Sequence, residues 1–259
     1  MKLSAYGLSM AGFVLLTIVL KVINIEFYSI STWVLRIGVL CVMIMLVIIS
    51  LIVFLANKRR GTEEVSTWLL FFIASSLNLI GGVLELLPVI INGISNPETI
   101  TLVGNIFFLL TYISFIVGLA IANYRFSDYK KANVTIPSIV VTIMLAVGLY
   151  FLINQMAQTG ESSLIVQISF IVFIVMDAVL VLLAWLLAKR TWGGSFSSSY
   201  VTIAVGCIAL VLFHIVATYL MVSSTYTLDS VFRLIYIVAI GLIGTGGDIR
   251  LSIEDNIAL

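Results

Sequence analysis

Histidine occurs once in this chain, at His214, and cysteine twice, at Cys41 and Cys207, among 259 residues. A single histidine excludes a bis-histidine haem. The absence of any Cys/His cluster or HExxH excludes the usual zinc and iron–sulfur ligand sets. Both cysteines lie inside apolar runs, so neither belongs to an extracellular disulfide framework. No Walker A loop is present. The GTGGD stretch at 244–248 lacks the strand-loop-helix setting of a dinucleotide site. No lysine follows Lys189, which leaves a retinal Schiff base without its amine in a late span. No cofactor is therefore expected. Charge is scarce as well: 10% of residues are charged, against about a quarter in a soluble domain. The net charge of +1 argues against a nucleic-acid partner.

What the chain has in quantity is apolar sequence. Hydrophobic residues make up 62% of it, and the mean hydropathy is +1.24. They recur in blocks of roughly 20, the length of helix that crosses about 30 Å of hydrocarbon. Such blocks are too long for barrel strands, and lipid does not tolerate unpaired backbone. The fold class expected is an all-α polytopic integral membrane protein with the lipid bilayer as its solvent. Eight segments stand out, at 5–23, 33–56, 68–91, 101–123, 136–154, 164–188, 200–221 and 230–247. The first reads as a retained span rather than a cleaved signal, because no small-residue cleavage site follows it. If the short first segment or the glycine-rich last one fails to cross, the count is seven.

Charge placement orients these segments. Lys58, Arg59, Arg60, Arg125, Lys130, Lys131, Lys189 and Arg190 fall in alternate turns, and Glu26, Glu98, Glu161 and Asp229 fall in the others. The positive-inside rule then places both termini in the cytoplasm of a multi-pass cell-membrane protein. Trp33, Trp68, Trp185 and Trp192 lie near predicted boundaries, where indole rings anchor at headgroups. Residues 1–247 form one transmembrane domain, followed by a short cytoplasmic tail at 248–259.

The two halves also look alike. Residues 105–120 align with 229–244, placing Phe108 over Phe232 and Tyr112 over Tyr236. Two parallel four-helix repeats, 1–131 and 132–247, are the expectation that follows.

Ionisable groups inside apolar segments mark function or pairing, because lipid penalises them. Glu85 and His214 fall in the outer halves of their segments, and Arg233 near the outer start of the last. A shared layer of Glu85, His214 and Arg233 is expected, lining an outward polar pocket with Tyr219 and Tyr236 as hydroxyl donors. Asp177 lies nearer mid-membrane, with no partner evident from sequence. Asn78, beside Ser75 and Ser76, forms a polar patch that glues helices together or receives Tyr112. Short loops, an outer pocket and the lack of catalytic groupings favour a membrane sensor or accessory subunit. It would bind a small-molecule ligand and signal through helix contacts to a separate membrane or cytoplasmic protein partner. The alternative is a small-solute or ion transporter that uses Asp177 and Glu85. An intramembrane hydrolase and a purely structural assembly protein rank below both, so the sequence leans away from an enzyme.

Overall fold

The computed structural model describes residues 28–91, 97–126, 164–222 and 233–257, with isolated positions at 9, 12, 14, 15, 19 and 150. These form six helices: α1 (Tyr28–Arg60), α2 (Val65–Ile90), α3 (Pro97–Arg125), α4 (Leu164–Arg190), α5 (Ser197–Val222) and α6 (Arg233–Ile257). Five contain stretches long and apolar enough to cross a membrane, namely Leu35–Arg60, Val65–Pro88, Leu102–Arg125, Ser197–Ala217 and Arg233–Ile253. The chain is a multi-pass helical membrane protein.

This corrects the expectation of eight or seven spans in two parallel four-helix repeats. Six helices are present among the described residues, five of them candidate spans. Segments 5–23 and 136–154 lie outside the described residues, apart from single positions. Nor does the packing divide into fours. It is cyclic: each helix packs on its neighbours in the order α1 to α6, and α6 closes back on α1. Resemblance between apolar segments is weak evidence of repetition, because all are drawn from the same few residue types.

Local sequence explains the ends of these elements. At the end of α1, Gly61 adopts φ +63°, a conformation that penalises a side chain. Its N–H bonds the Lys58 carbonyl at 3.3 Å, and the Thr62 N–H bonds the Asn57 carbonyl at 3.1 Å, the pattern of a Schellman cap. Lys58, Arg59 and Arg60 in that last turn complement the helix dipole. The chain then re-enters the membrane through α2 within a few residues.

One end of the bundle gathers the basic termini. Arg125 at the end of α3 donates to Ser66 at the start of α2, at 2.7 Å. Arg190 at the end of α4 donates to the Asn123 carbonyl of α3. Asn123 in turn reaches the Leu183 carbonyl of α4 at 2.8 Å. Helices α3 and α4 therefore run in the same direction, as do α6 and α1, whereas the other neighbours are antiparallel.

The outside of the ring is as apolar as its core. Ile37, Ile44, Ile48 and Leu55 on α1 are exposed at helical spacing, as are Ile106, Leu110, Ile113 and Val117 on α3. Such stripes suit hydrocarbon contact rather than water. Inside lie Leu35, Val39, Met43, Leu119, Leu180, Ile203 and Ile237. Helix α6 is the innermost of the candidate spans, with 67% of its most apolar stretch buried. Small residues let it approach α5. A side chain at Gly206 would meet the Ala239 carbonyl at 2.9 Å, and one at Gly246 would meet the Ser199 carbonyl at 2.9 Å. Ser199 Oγ donates to the Gly246 carbonyl across this contact at 2.7 Å. Glycine and serine at helix interfaces are the usual means of close approach in lipid.

Candidate functional site

Polar side chains occupy the ring interior at three heights, and at each height one pair joins α2 to α6. No Cα atom of one helix lies within 8 Å of a Cα atom of the other, so side chains make the bridge.

The first level is the basic end. Glu64 immediately precedes α2 but does not cap it. Its carboxylate turns inward instead. Oε1 accepts from Arg250 Nη2 of α6 at 2.9 Å. Oε2 accepts from Tyr200 Oη of α5 at 2.9 Å and from Trp68 Nε1 at 3.1 Å. The Arg250 guanidinium also lies 3.3 Å above the Phe196 ring centroid. Glu64, Arg250, Tyr200 and Trp68 are all buried. A buried carboxylate is costly unless its oxygens are answered, and three donors from three helices answer Glu64.

Fourteen residues along each helix, about 21 Å at 1.5 Å per residue, stand Asn78 of α2 and Tyr236 of α6. Tyr236 Oη donates to Asn78 Oδ1 at 3.0 Å. Asn78 is buried, and its Nδ2 has no hydrogen-bond partner among the described residues. Ser50 of α1 and Ser75 of α2 bond each other at 2.7 Å one turn away. Phe213 packs at a tilt against both Tyr236 and His214, with ring centroids 5.2 Å and 5.4 Å away. Beyond it lies a triangle of groups from three helices. Tyr112 Oη of α3 is 2.6 Å from Asp177 Oδ1 of α4 and 2.8 Å from His214 Nδ1 of α5. His214 Nδ1 is 3.2 Å from the same carboxylate oxygen. Asp177 is buried, with a side-chain exposure of 4%, whereas the His214 side chain is 27% exposed.

At the third level, Arg233 Nη2 of α6 contacts Glu85 Oε2 of α2 at 2.6 Å. Arg233 is buried, and the Glu85 side chain remains 26% accessible.

The site residues expected from sequence thus separate into two groups. Glu85 and Arg233 meet as expected. His214 does not join them; it meets Asp177 and Tyr112. Asp177, expected to be isolated, has both of these as partners. The Asn78 patch is reached by Tyr236 rather than by Tyr112. The side chain of Tyr219 lies outside the described residues. Trp68, expected at the headgroups, is 2% exposed and faces inward. Trp192 is 57% exposed. Glu64, Tyr200 and Arg250 were not singled out by sequence. Glu64 lay in a polar turn and Arg250 beyond the last apolar segment, although its 17-residue spacing from Arg233 keeps it within reach of one helix.

No group of three or more His, Cys, Asp or Glu side chains is arranged to hold a metal ion among the described residues. In comparisons with known proteins, no family model, curated protein or solved structure matches the chain. The chemistry available is acid–base and electrostatic. It consists of two ion pairs at opposite ends of a ring and a hydrogen-bonded acid, phenol and imidazole between them.

Proposed function

We propose that this protein is a transporter of a small polar solute or ion, moved through the interior of the helix ring. The observation that carries this reading is the distribution of charge. A buried ion pair at Glu64–Arg250 and a partly buried one at Glu85–Arg233 lie on either side of the layer that contains Asp177. Intramembrane ionisable groups facing a bundle interior mark solute and ion paths. Both pairs join the same two helices through side chains alone, so one displacement of α6 relative to α2 would open or close either end. In this reading, Asn78 Nδ2, Tyr236 and the acid triad contact the solute, and the ion pairs restrict access to it. Following the positive-inside rule, the Glu64 end faces the cytoplasm.

A sensor needs polar groups at the end where its ligand arrives and a packed interior to carry the signal. Here polar groups extend through the full height of the bundle, which favours transport.

The test is flux in proteoliposomes. Currents on a solid-supported membrane are recorded while an equimolar mixture of amino acids, carboxylates, hexoses and alkali cations is exchanged over them. A saturable current is expected, with the active component found by subtraction. Asp177→Asn abolishes it, and Glu85→Gln reduces it. Binding of a component with no current from any member of the mixture would return the protein to the sensor class.

A further inference from the structure

We propose that Asp177, Tyr112 and His214 form a proton-binding site, and that the proton is the ion whose movement drives the transport described above. This deepens that reading by naming the coupling ion, and its coupling half rests on it.

Three features support a proton rather than a metal cation. The first is the ligand set. Hard cations need several oxygen ligands, about six for sodium-like or calcium-like ions. Here one carboxylate oxygen is approached by two groups that carry hydrogens, at 2.6 Å and 3.2 Å. Such an arrangement serves proton transfer and leaves little of that oxygen for a cation.

The second feature is that the triangle has two satisfied states without movement of any heavy atom. In one, Asp177 is ionised and Oδ1 accepts from Tyr112 Oη–H and from His214 Nδ1–H. A proton then adds to the lone pair of His214 Nε2. The Nδ1 proton passes to Asp177 Oδ1, and the ring is left neutral as the Nε2–H tautomer. Asp177 is now a neutral acid donating to Nδ1, and Tyr112 keeps its own proton and still donates to Oδ1. One proton has been gained, and each of the three groups keeps a hydrogen bond within the triangle in both states. A buried polar network is tolerable in lipid only on that condition.

The third feature is the gradient of exposure. The imidazole is 27% exposed and the acid 4%, so the proton enters on the more accessible group and is held on the more buried one. Imidazole suits this role because it takes a proton on one nitrogen and releases it from the other. Among the described residues, the other titratable groups near the triangle are Cys207 on α5, which interacts with Asp177, and Tyr236 on α6, which interacts with Tyr112. Neither offers a second carboxylate that would compete for the proton. The Glu85–Arg233 pair supplies balanced charge at the next level.

Infrared difference spectroscopy of the full chain in lipid nanodiscs, cycled between acid and alkaline buffer, tests the site directly. A protonated-carboxyl band is expected on acidification, with a downshift in deuterated buffer. It disappears in Asp177→Asn, persists in Glu85→Gln and shifts in frequency in Tyr112→Phe, which removes the donor to the protonated oxygen. If Asp177→Asn does not fold, Tyr112→Phe carries the test, and an unmoved band overturns the assignment. A band that survives in folded Asp177→Asn overturns it equally. Coupling is read separately, from a pH dye trapped in proteoliposomes as the solute mixture is added outside. Lumenal pH that follows the solute in wild type and not in Asp177→Asn supports it. Solute flux without a pH change overturns the coupling and leaves the transport reading standing. The infrared band without any flux removes the transport reading and leaves the proton site.

Discussion

A buried guanidinium is costly unless a partner answers it, and Arg233, at the start of α6, is almost wholly buried. Its carboxylate partner, Glu85, turns that cost into a pair, and the pair is worth most when measured by breaking it. Removing one partner strands the other, whereas replacing both by apolar residues is often nearly neutral. Arg233→Met alone should therefore destabilise the protein by about 3–5 kcal/mol, less whatever water at the partly exposed Glu85 recovers. The double substitution with Glu85→Leu should recover most of the loss. Unfolding in mixed micelles measures both, and equal losses would show that the ion pair is not what holds α2 to α6. The same logic applies to Glu64 on a smaller scale. Tyr200→Phe leaves Oε2 with one donor of two and should cost about 1–3 kcal/mol. At this scale the sequence was informative about identity and poor about pairing. Glu85, Arg233, Asp177, Asn78, Tyr112, Tyr236 and His214 stand out against apolar neighbours, because lipid makes any polar residue conspicuous. Which of them meet depends on the azimuth of each side chain around its helix. Distance along an apolar helix gives height only, which is why His214 was set beside Glu85 when it faces Asp177.

Among the helices, α6 shows how much a single element depends on its smallest residues. Gly246 admits the Ser199 carbonyl and the Ile203 side chain of α5, and a Cβ there would sit 2.5 Å from Ile203 Cγ1. Ile203 is itself buried and cannot retreat freely. Gly246→Ala should cost about 1–3 kcal/mol through overpacking, and Gly246→Val more, while the Glu64–Arg250 pair one turn away is pulled out of register. A loss of transport disproportionate to the loss of stability would show that this contact sets the position of α6. If both substitutions were silent in a thermal unfolding assay, the close α5–α6 approach would be wrong. The glycines were legible as a packing signal. The length of α6 was not: Asp248 and Arg250 read as the start of a short cytoplasmic tail, yet the helix continues to Ile257 and both residues are buried. Hydropathy scores a charge by its cost to lipid and does not register a partner that cancels the cost. For that reason the end of a charged, interior helix is hard to place from sequence.

Taken together, the six described helices form a ring with an apolar exterior and a polar axis, and the proposed function depends on that axis being wet. Leu110 on α3 is exposed on the outside of the ring, two residues from Tyr112, whose side chain points inward. Asn78 belongs to the same interior layer on α2. These positions share a depth in the membrane and differ only in the side of the helix wall on which they stand. With Cys41 and Cys207 replaced by serine and alanine, Asn78→Cys should react with a small charged thiol reagent, slowly because the native side chain is 6% exposed. Leu110→Cys should not react, since a thiol in hydrocarbon neither ionises nor meets a charged reagent. Saturating solute from the active mixture should slow labelling at Asn78→Cys and leave other positions unchanged. Tyr124→Cys, at an 82% exposed site near the basic end, should label only from the cytoplasmic side of sealed vesicles. Ile90→Cys, at the far end of α2, should label only from the opposite side. Equal inertness at Asn78 and Leu110 would mean that the ring interior is dry, and the three α2–α6 bridges would then be fastenings of a static bundle. Labelling at Asn78 alone, relieved by solute, would place water and solute on the same axis as the two ion pairs.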